Sequence, residues 1–257
     1  MTESKIKPNF VILHGNHGCK AEDGWYTYLH DKLNMHGYKI DLRTHKEKII
    51  NSRVNIIKIL KNEIKCDENT IIIGHSSGAL ACMRYAELYP VLAIVLVAPY
   101  VTHLGIKNEK KSGYFDYPWN PDEIRKNTKW IIQFSSDDDP LISYHEQSQI
   151  LRRILRNPDF DYTYYKCNKM HHIGRKILKS ANFIEKIIIS KIIDNIIPEY
   201  IITDELNENN ETFQVKIEKI NNGEEEDLIE IKYNNPFISS WKENILPPNI
   251  NLNLKIY

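Results

Sequence analysis

Nothing in this chain narrows its fold more than residues 70–88, TIIIGHSSGALACMRYAEL. A β-branched run reads straight into a stretch with helical apolar spacing, so strand, one tight turn and helix must follow each other without a loop. The turn is Gly74-His75-Ser76-Ser77-Gly78, which has the Gly-x-Ser-x-Gly spacing of a nucleophile elbow. A serine on so sharp a turn projects its hydroxyl above the end of the sheet. A side chain at Gly74 or Gly78 would collide with the neighbouring strand or helix. Ser76 is therefore the candidate nucleophile; the competing reading is a Ser-Gly turn that only caps the helix.

Up to about Ile197 the chain repeats this alternation of short apolar runs and helical periods, which predicts βαβ units and a mainly parallel sheet. The predicted strands are Phe10–Leu13, Tyr38–Leu42, Thr70–Ile73, Leu92–Val97, Trp130–Phe134 and Tyr162–Cys167. Predicted helices cover 24–35, 47–64, 77–88, 143–156 and 181–195. The third and fourth strands are continuously apolar, as strands covered by helices on both faces must be. The expectation is a doubly wound α/β sheet, whose strand order the sequence does not supply.

After Glu199 the texture changes. FQVKI (213–217) and IEIKY (229–233) alternate apolar and polar residues around an NNGEEE turn, which predicts a β-hairpin. The division is a body, 1–198, and an acidic, Asn-rich extension, 199–257. Of the 257 residues, 34 are basic and 34 acidic, but the extension holds 12 acidic against 5 basic residues, so a net −7 there offsets +7 on the body. A balanced chain of this kind lacks the excess of Lys and Arg that gripping nucleic acid requires. Cys19, Cys66, Cys82 and Cys167 are widely spaced with no CxxC pair, which indicates neither a disulfide framework nor a metal site. The longest apolar run, Val91–Ala98, is far shorter than the roughly 20 residues of a membrane span. The start, MTESKIKPNF, has no apolar secretory core. A soluble, cytoplasmic protein is expected.

A neutral serine needs a base and an acid to orient it, and behind an elbow the chain order is serine, acid, histidine. The strand WIIQF runs into Ser135-Ser136-Asp137-Asp138-Asp139-Pro140, which puts three carboxylates at a strand's C-terminal end, where the acid belongs. One or two of them are also candidates to cap the next helix. After the following strand comes Met170-His171-His172, and His172 is the candidate base with His171 its competitor. After the first strand, His14-Gly15-Asn16-His17-Gly18 is a loop from which Asn16 or His17 would donate one backbone N–H to an oxyanion, with Ser77 donating the other. A phosphate-binding turn is the alternative, but it lacks the G-x-G-x-x-G pattern and a Walker lysine. His17, Tyr100, Tyr114, Phe115, Tyr117 and Trp119 are candidates to wall a substrate pocket; the alternative for the aromatic set is ordinary packing under a loop.

Several stretches together, GWY (24–26), CDENTIIIGHSSGALACMRYAE (66–87), AIVLVAPYVTHLG (93–105), SGYFDYPW (112–119), IIQFSSDDDP (131–140) and HEQ (145–147), resemble one group. It is the small α/β-hydrolases of the retinoblastoma-binding protein 9 type, with bacterial relatives of the YdeN kind. The resemblance spans residues 9–196. It implies an α/β-hydrolase fold and serine hydrolase activity without metal or cofactor. It also implies a triad of Ser76, Asp139 and His172, since the family's acid directly precedes proline, with Asp138 the runner-up. The segment between the fourth and fifth strands is too short for a large lid, so small esters or amides are the expected substrates. The same fold also serves non-catalytic interaction proteins, acyltransferases and thioesterases. The chain departs from the pattern in having His171 where the family commonly has glycine, in extra residues near 156–161, and in everything beyond about 199. The family's LxCxE motif survives only as Ile64, Cys66 and Glu68, at a point where a helix meets a buried strand. That placement argues against binding a retinoblastoma-type pocket.

Overall fold

In each of the apolar runs, side chains two apart face the same way, and that alternation sets which residues meet which layer of helices. The computed structural model describes residues 7–151, 155, 157–167, 170–173 and 178–194, with four further strands at 205–206, 212–213, 215–220 and 228–233. Six strands pair in parallel: β1 (Asn9–Leu13), β2 (Lys39–Leu42), β3 (Thr70–His75), β4 (Ala93–Val97), β5 (Trp130–Ser136) and β6 (Tyr162–Cys167). Ile12, Ile73, Val95 and Ile132 lie side by side in register on one face. There they pack with Trp25, Leu29 and Leu33 of α1 (Trp25–Met35) and with Ile184, Ile187 and Ile188 of α8 (Leu178–Asp194). Val11, Ile72, Ile94 and Ile131 form the matching row on the other face, against α3 (Arg53–Lys58), α4 (Ser77–Ala86) and α6 (Pro121–Lys126). Burying each such Ile or Leu contributes roughly 1.5–3 kcal/mol relative to exposure, so both faces hold the sheet.

The strand order is β2-β1-β3-β4-β5-β6. The chain steps outward from β1 to β2, then crosses back past β1 to β3, and proceeds outward on that side. Direction therefore reverses between β1 and β3, and in open parallel sheets the crevice at such a reversal, beyond the strands' C-terminal ends, is where ligands bind. The elbow ends β3, and the His14–Gly18 loop follows β1.

Sheet and helices follow the predicted order, with three local differences. The predicted helix over 47–64 is interrupted: α2 (Glu47–Ile50) ends at Asn51, Ser52 Oγ caps α3 by accepting from Asn55 N, and the helix continues as a π-turn, Ile59–Ile64. Two short helices, α5 (Lys107–Lys110) and α6, occupy the connection from β4 to β5, where none was predicted. The helix predicted from 143 begins as a π-helical segment, α7 (His145–Ile150). The amide of Glu146 there is met by Ser143 Oγ at 3.3 Å, so that serine takes the capping role considered for the aspartates.

In the C-terminal part, β7 (Glu205–Leu206) pairs with β8 (Thr212–Phe213). The expected hairpin is present as β9 (Val215–Ile220) and β10 (Leu228–Tyr233), antiparallel, with β10 laid parallel beside β6 so that the pair extends the sheet. The NNGEEE turn and the division near residue 198 lie outside the described residues. Among the described residues no helix is long and apolar enough to cross a membrane.

Candidate active site

The two glycines of the elbow have separate steric reasons. A Cβ on Gly74 would lie well inside van der Waals contact distance of the Gly78 carbonyl and the Cys82 Sγ; one on Gly78 would do the same to the Leu13 carbonyl and come within 2.9 Å of His14 O. The helix thus crosses directly over β1 and β3. Between the glycines Ser76 is held at φ 55°, ψ −119°, a conformation that costs a residue with a Cβ of order 1–3 kcal/mol. Hydrogen bonds on both sides impose it: Ser76 N donates to Val97 O at 2.9 Å, and Ala79 N donates to Ser76 O at 2.9 Å.

Three further loops reach the same end of the sheet. After β5, Asp139 is buried and accepts four hydrogen bonds. Leu141 N (2.8 Å) and Ile142 N (3.0 Å) donate to Oδ1, while Gln147 Nε2 (2.8 Å) and His172 Nδ1 (2.8 Å) donate to Oδ2. Asp138 faces elsewhere. Its Oδ1 accepts from Ser136 Oγ and from His171 N, each at 2.8 Å, and its Oδ2 lies 2.8 Å from His171 Nδ1. The two candidate acids and two candidate bases therefore sort into two pairs, Asp139 with His172 and Asp138 with His171. Only the first has a fully buried carboxylate. Asp137 is exposed and donates its N–H to Cys167 O at 3.0 Å.

Ser76, His172 and His171 line one cavity of about 640 Å³ with Gly15, Asn16, His17, Cys19, His75, Tyr100 and Glu109. Its remaining wall is apolar, with Leu104 and Ile106 on one stretch and Pro140, Leu141, Ile142 and Met170 on others. Asn16 turns its side chain away from Ser76: Nδ2 donates to Glu109 Oε1 at 2.5 Å and to Asn51 Oδ1 at 3.3 Å. Glu109 Oε2 accepts from the Tyr100 hydroxyl at 2.8 Å, and that hydroxyl is 3.0 Å from Ser77 Oγ. Burial, and next the Glu109 charge, push the Tyr100 phenol well above its usual range, which keeps it a neutral donor. Ser77 opens α4, so its N–H is among those a helix leaves without an internal acceptor.

Of the aromatic residues proposed for the pocket, only Tyr100 lies on the cavity wall; Tyr114, Phe115 and Trp119 do not. The cause is Arg84 of α4, whose guanidinium donates to the carbonyls of Tyr114, Tyr117 and Pro118, pairs with Glu87, and stacks 3.7 Å from the Trp119 ring centroid. The segment is drawn onto the flank of the body, where Tyr114 is fully buried with its hydroxyl on Ile50 O and Trp119 Nε1 donates to Val101 O. Packing under the loop, the alternative for this set, describes Tyr114 and Trp119. Glu109 was not anticipated from sequence; it sits among lysines in a short helix, and nothing local marks it as buried.

A family model described as serine hydrolase matches residues 10–160, more than half of the chain. "Serine hydrolase RBBP9" of Rattus norvegicus is 41% identical over 146 residues, which cover 56% of this chain and 78% of that protein. The solved ydeN gene product of B. subtilis superposes with a TM-score of 0.60 at 16% identity, over 72% of this chain and 98% of that one. Est1E from Butyrivibrio proteoclasticus gives a TM-score of 0.56 at 16% identity (74% and 90% of the chains). Alpha/beta hydrolase domain-containing protein 10 from mouse gives 0.53 at 14% (74% and 91%). At such identities these structures speak to the fold, which is the α/β-hydrolase fold.

Proposed function

The chain belongs to the serine hydrolase family, and on that premise we propose that it cleaves small carboxylic esters or amides through an acyl-enzyme on Ser76, with His172 as base and Asp139 as orienting acid. The observation that carries the reading is the 2.8 Å contact between His172 Nδ1 and the buried Asp139 carboxylate, in the same cavity as the strained Ser76. A carboxylate only accepts, so Nδ1 holds the proton and Nε2 is left with a lone pair to take the Ser76 proton. Ser76 Oγ then attacks the carbonyl carbon. The oxyanion is received by Ser77 N–H and by the amide of Asn16 or His17, because the Gly15 amide is already directed to Tyr26 Oη at 3.4 Å. Each such donor is worth roughly 3–4 kcal/mol in the transition state. Protonated His172 gives its proton to the leaving group, and a water activated the same way releases the acid.

Glu109 favours, among such substrates, acyl groups that carry an ammonium. Its carboxylate is 2% exposed, forms part of the cavity wall, and among the described residues accepts only from the neutral donors Asn16 Nδ2 and Tyr100 Oη. A buried carboxylate without a cation is costly, and a bound ammonium would compensate it. Glu109→Gln should lower kcat/KM for an aminoacyl anilide at least about tenfold relative to the same anilide lacking the amine. A wild-type enzyme that prefers the desamino compound rejects this refinement.

A fluorophosphonate probe tests the main reading. Wild-type protein should be labelled and Ser76→Ala should not, with both folded. Folded wild-type protein that stays unlabelled would leave the fold with a non-catalytic role, and labelled protein that turns over only with an added thiol or alcohol acceptor would be a transferase.

A further inference from the structure

Gly24-Trp25-Tyr26 and His75 have no step in the hydrolysis scheme, yet they converge on the loop that carries His172. Trp25, at the start of α1 and fully buried, donates Nε1–H to Ile173 O at 3.0 Å. His75, 2% exposed and directly before the nucleophile, lies with Nε2 2.9 Å from His172 O. A carbonyl can only accept, so the His75 proton resides on Nε2, and Nδ1 accepts from the Tyr26 hydroxyl at 2.6 Å. That hydroxyl in turn lies 3.4 Å from Gly15 N in the loop after β1. Three loops that leave three different strands are thereby joined through two side chains. The rings of His75 and His172 also pack at 4.8 Å between centroids.

We propose that His75, Trp25 and Tyr26 are positioning residues: a hydrogen-bonded brace that fixes the His172 loop against the Ser76 elbow by holding two consecutive carbonyls, His172 O and Ile173 O. The brace rests on the reading of Ser76 and His172 as nucleophile and base. Asp139 sets the rotation of the His172 ring; the brace sets where its backbone stands. The loop needs external fixing because it turns through positive φ at His171 (51°) and Ile173 (37°), values that non-glycine residues adopt only under constraint. Base and nucleophile come from separate strands, and a displacement of about 1 Å between reacting groups can cost about 100-fold.

The test compares wild type with His75→Leu, His75→Gln and Trp25→Phe, using p-nitrophenyl acetate for kcat and KM, and thermal unfolding for stability. Leucine fills the ring's space without a donor, whereas the glutamine amide restores one where Nε2 stood. For His75→Leu the expected result is a kcat lower by about 10- to 100-fold with KM within about threefold. His75→Gln should recover at least about tenfold of the lost rate. A folded His75→Leu with kcat within about twofold of wild type, or a glutamine that recovers nothing, overturns the proposal. If the leucine variant unfolds, Trp25→Phe decides: it removes the indole N–H together with part of the ring, and an unchanged kcat rejects the brace while a lower kcat at constant KM supports it. Wild-type protein that neither labels with fluorophosphonate nor turns over rejects the hydrolase reading instead, and is told apart by that control.

Discussion

Exchanging Asp139 for asparagine preserves shape and reverses one hydrogen bond. Four donors meet this carboxylate, two backbone amides on Oδ1 and the Gln147 amide and His172 Nδ1 on Oδ2. An asparagine that keeps its oxygen on Leu141 N and Ile142 N must turn its own NH2 onto Gln147 and His172, donor against donor. Gln147 has a retreat, since its Nε2 also lies 2.9 Å from Ile142 O. His172 has none, so its Nδ1 must become the acceptor and its proton moves to Nε2, the nitrogen that should receive the Ser76 proton. The imidazolium formed in the transition state also loses its counter-charge. In serine triads this exchange costs about 10⁴ in kcat, equivalent to about 5.5 kcal/mol of barrier. Asp138→Asn keeps an oxygen for Ser136 Oγ and the His171 amide and disturbs the more exposed contact with the His171 ring, and should change kcat by no more than about tenfold. The assay is steady-state hydrolysis of p-nitrophenyl acetate, normalised by active-site titration, with urea unfolding to confirm that both variants are folded. Asp139→Asn within about tenfold of wild type would refute the tautomer argument, and a loss confined to Asp138→Asn would transfer the acid's role to the other pair.

Gly78→Ala should lower unfolding stability by at least about 3 kcal/mol in urea titrations, because its Cβ meets the backbone of β1. Gly18→Ala, at φ 75° with open space around it, should cost only about 1–2 kcal/mol, the strain of a left-handed residue. His45 is buried beside His14, its Nε2 has no partner among the described residues, and desolvation first, then the His14 and Arg43 charges, lower its pKa from 6.5 to about 4. The unfolded chain therefore takes up a proton that the folded one refuses, so stability is full above pH 6.5 and falls towards pH 4, by up to about 3 kcal/mol. Burial lowers His14 in the same sense. Urea midpoints from pH 7 to 4 should show the fall, and His45→Gln should flatten it. His171→Gly should leave stability at pH 7 within about 1 kcal/mol of wild type, since it loses an ion pair and relieves a positive φ, whereas His171→Ala loses the pair and keeps the strain.

What could be read from sequence was whatever depends on local pattern. Short apolar runs located all six parallel strands to within two residues at each end, and the elbow's glycines announced a close crossing of helix over strand. Strand order was not legible, because nothing in a βαβ run says on which side the next strand is laid. Nor were side-chain directions in the loops of the candidate site. Asp138 and Asp139 are adjacent and chemically identical, and only the turn through Pro140 to Ile142, with two amides on Asp139, decides which faces inward. Which of the two readings of the aromatic segment applies was not legible for a non-local reason, since Arg84 lies some thirty residues earlier and its guanidinium takes three of the segment's carbonyls. By contrast α6 was legible and overlooked: Asn120-Pro121-Asp122-Glu123 is an N-cap followed by proline and two acids, and Asn120 Oδ1 does accept from Glu123 N.

The duplicated His–Asp pairing has a common origin in the backbone. Where the family pattern favours glycine, this chain has His171 at φ 51°, so a conformation that glycine would adopt freely costs a side-chain-bearing residue about 1–2 kcal/mol. Asp138 offsets that cost from two directions, accepting from the His171 amide and pairing with its ring. It also accepts from Ser136 Oγ, which itself accepts from Met170 N, so β5 and the loop after β6 are stitched together just outside the proposed catalytic pair. The left-handed residue then turns the chain so that the next side chain, His172, meets Asp139 rather than Asp138, while both histidines keep a place on the cavity wall. Asp138–His171 thus acts as the outer anchor of the same turn whose inner carbonyls Trp25 and His75 hold. A chain can depart from glycine at this point because the aspartate beside the proposed catalytic acid is placed to fix the histidine beside the proposed base.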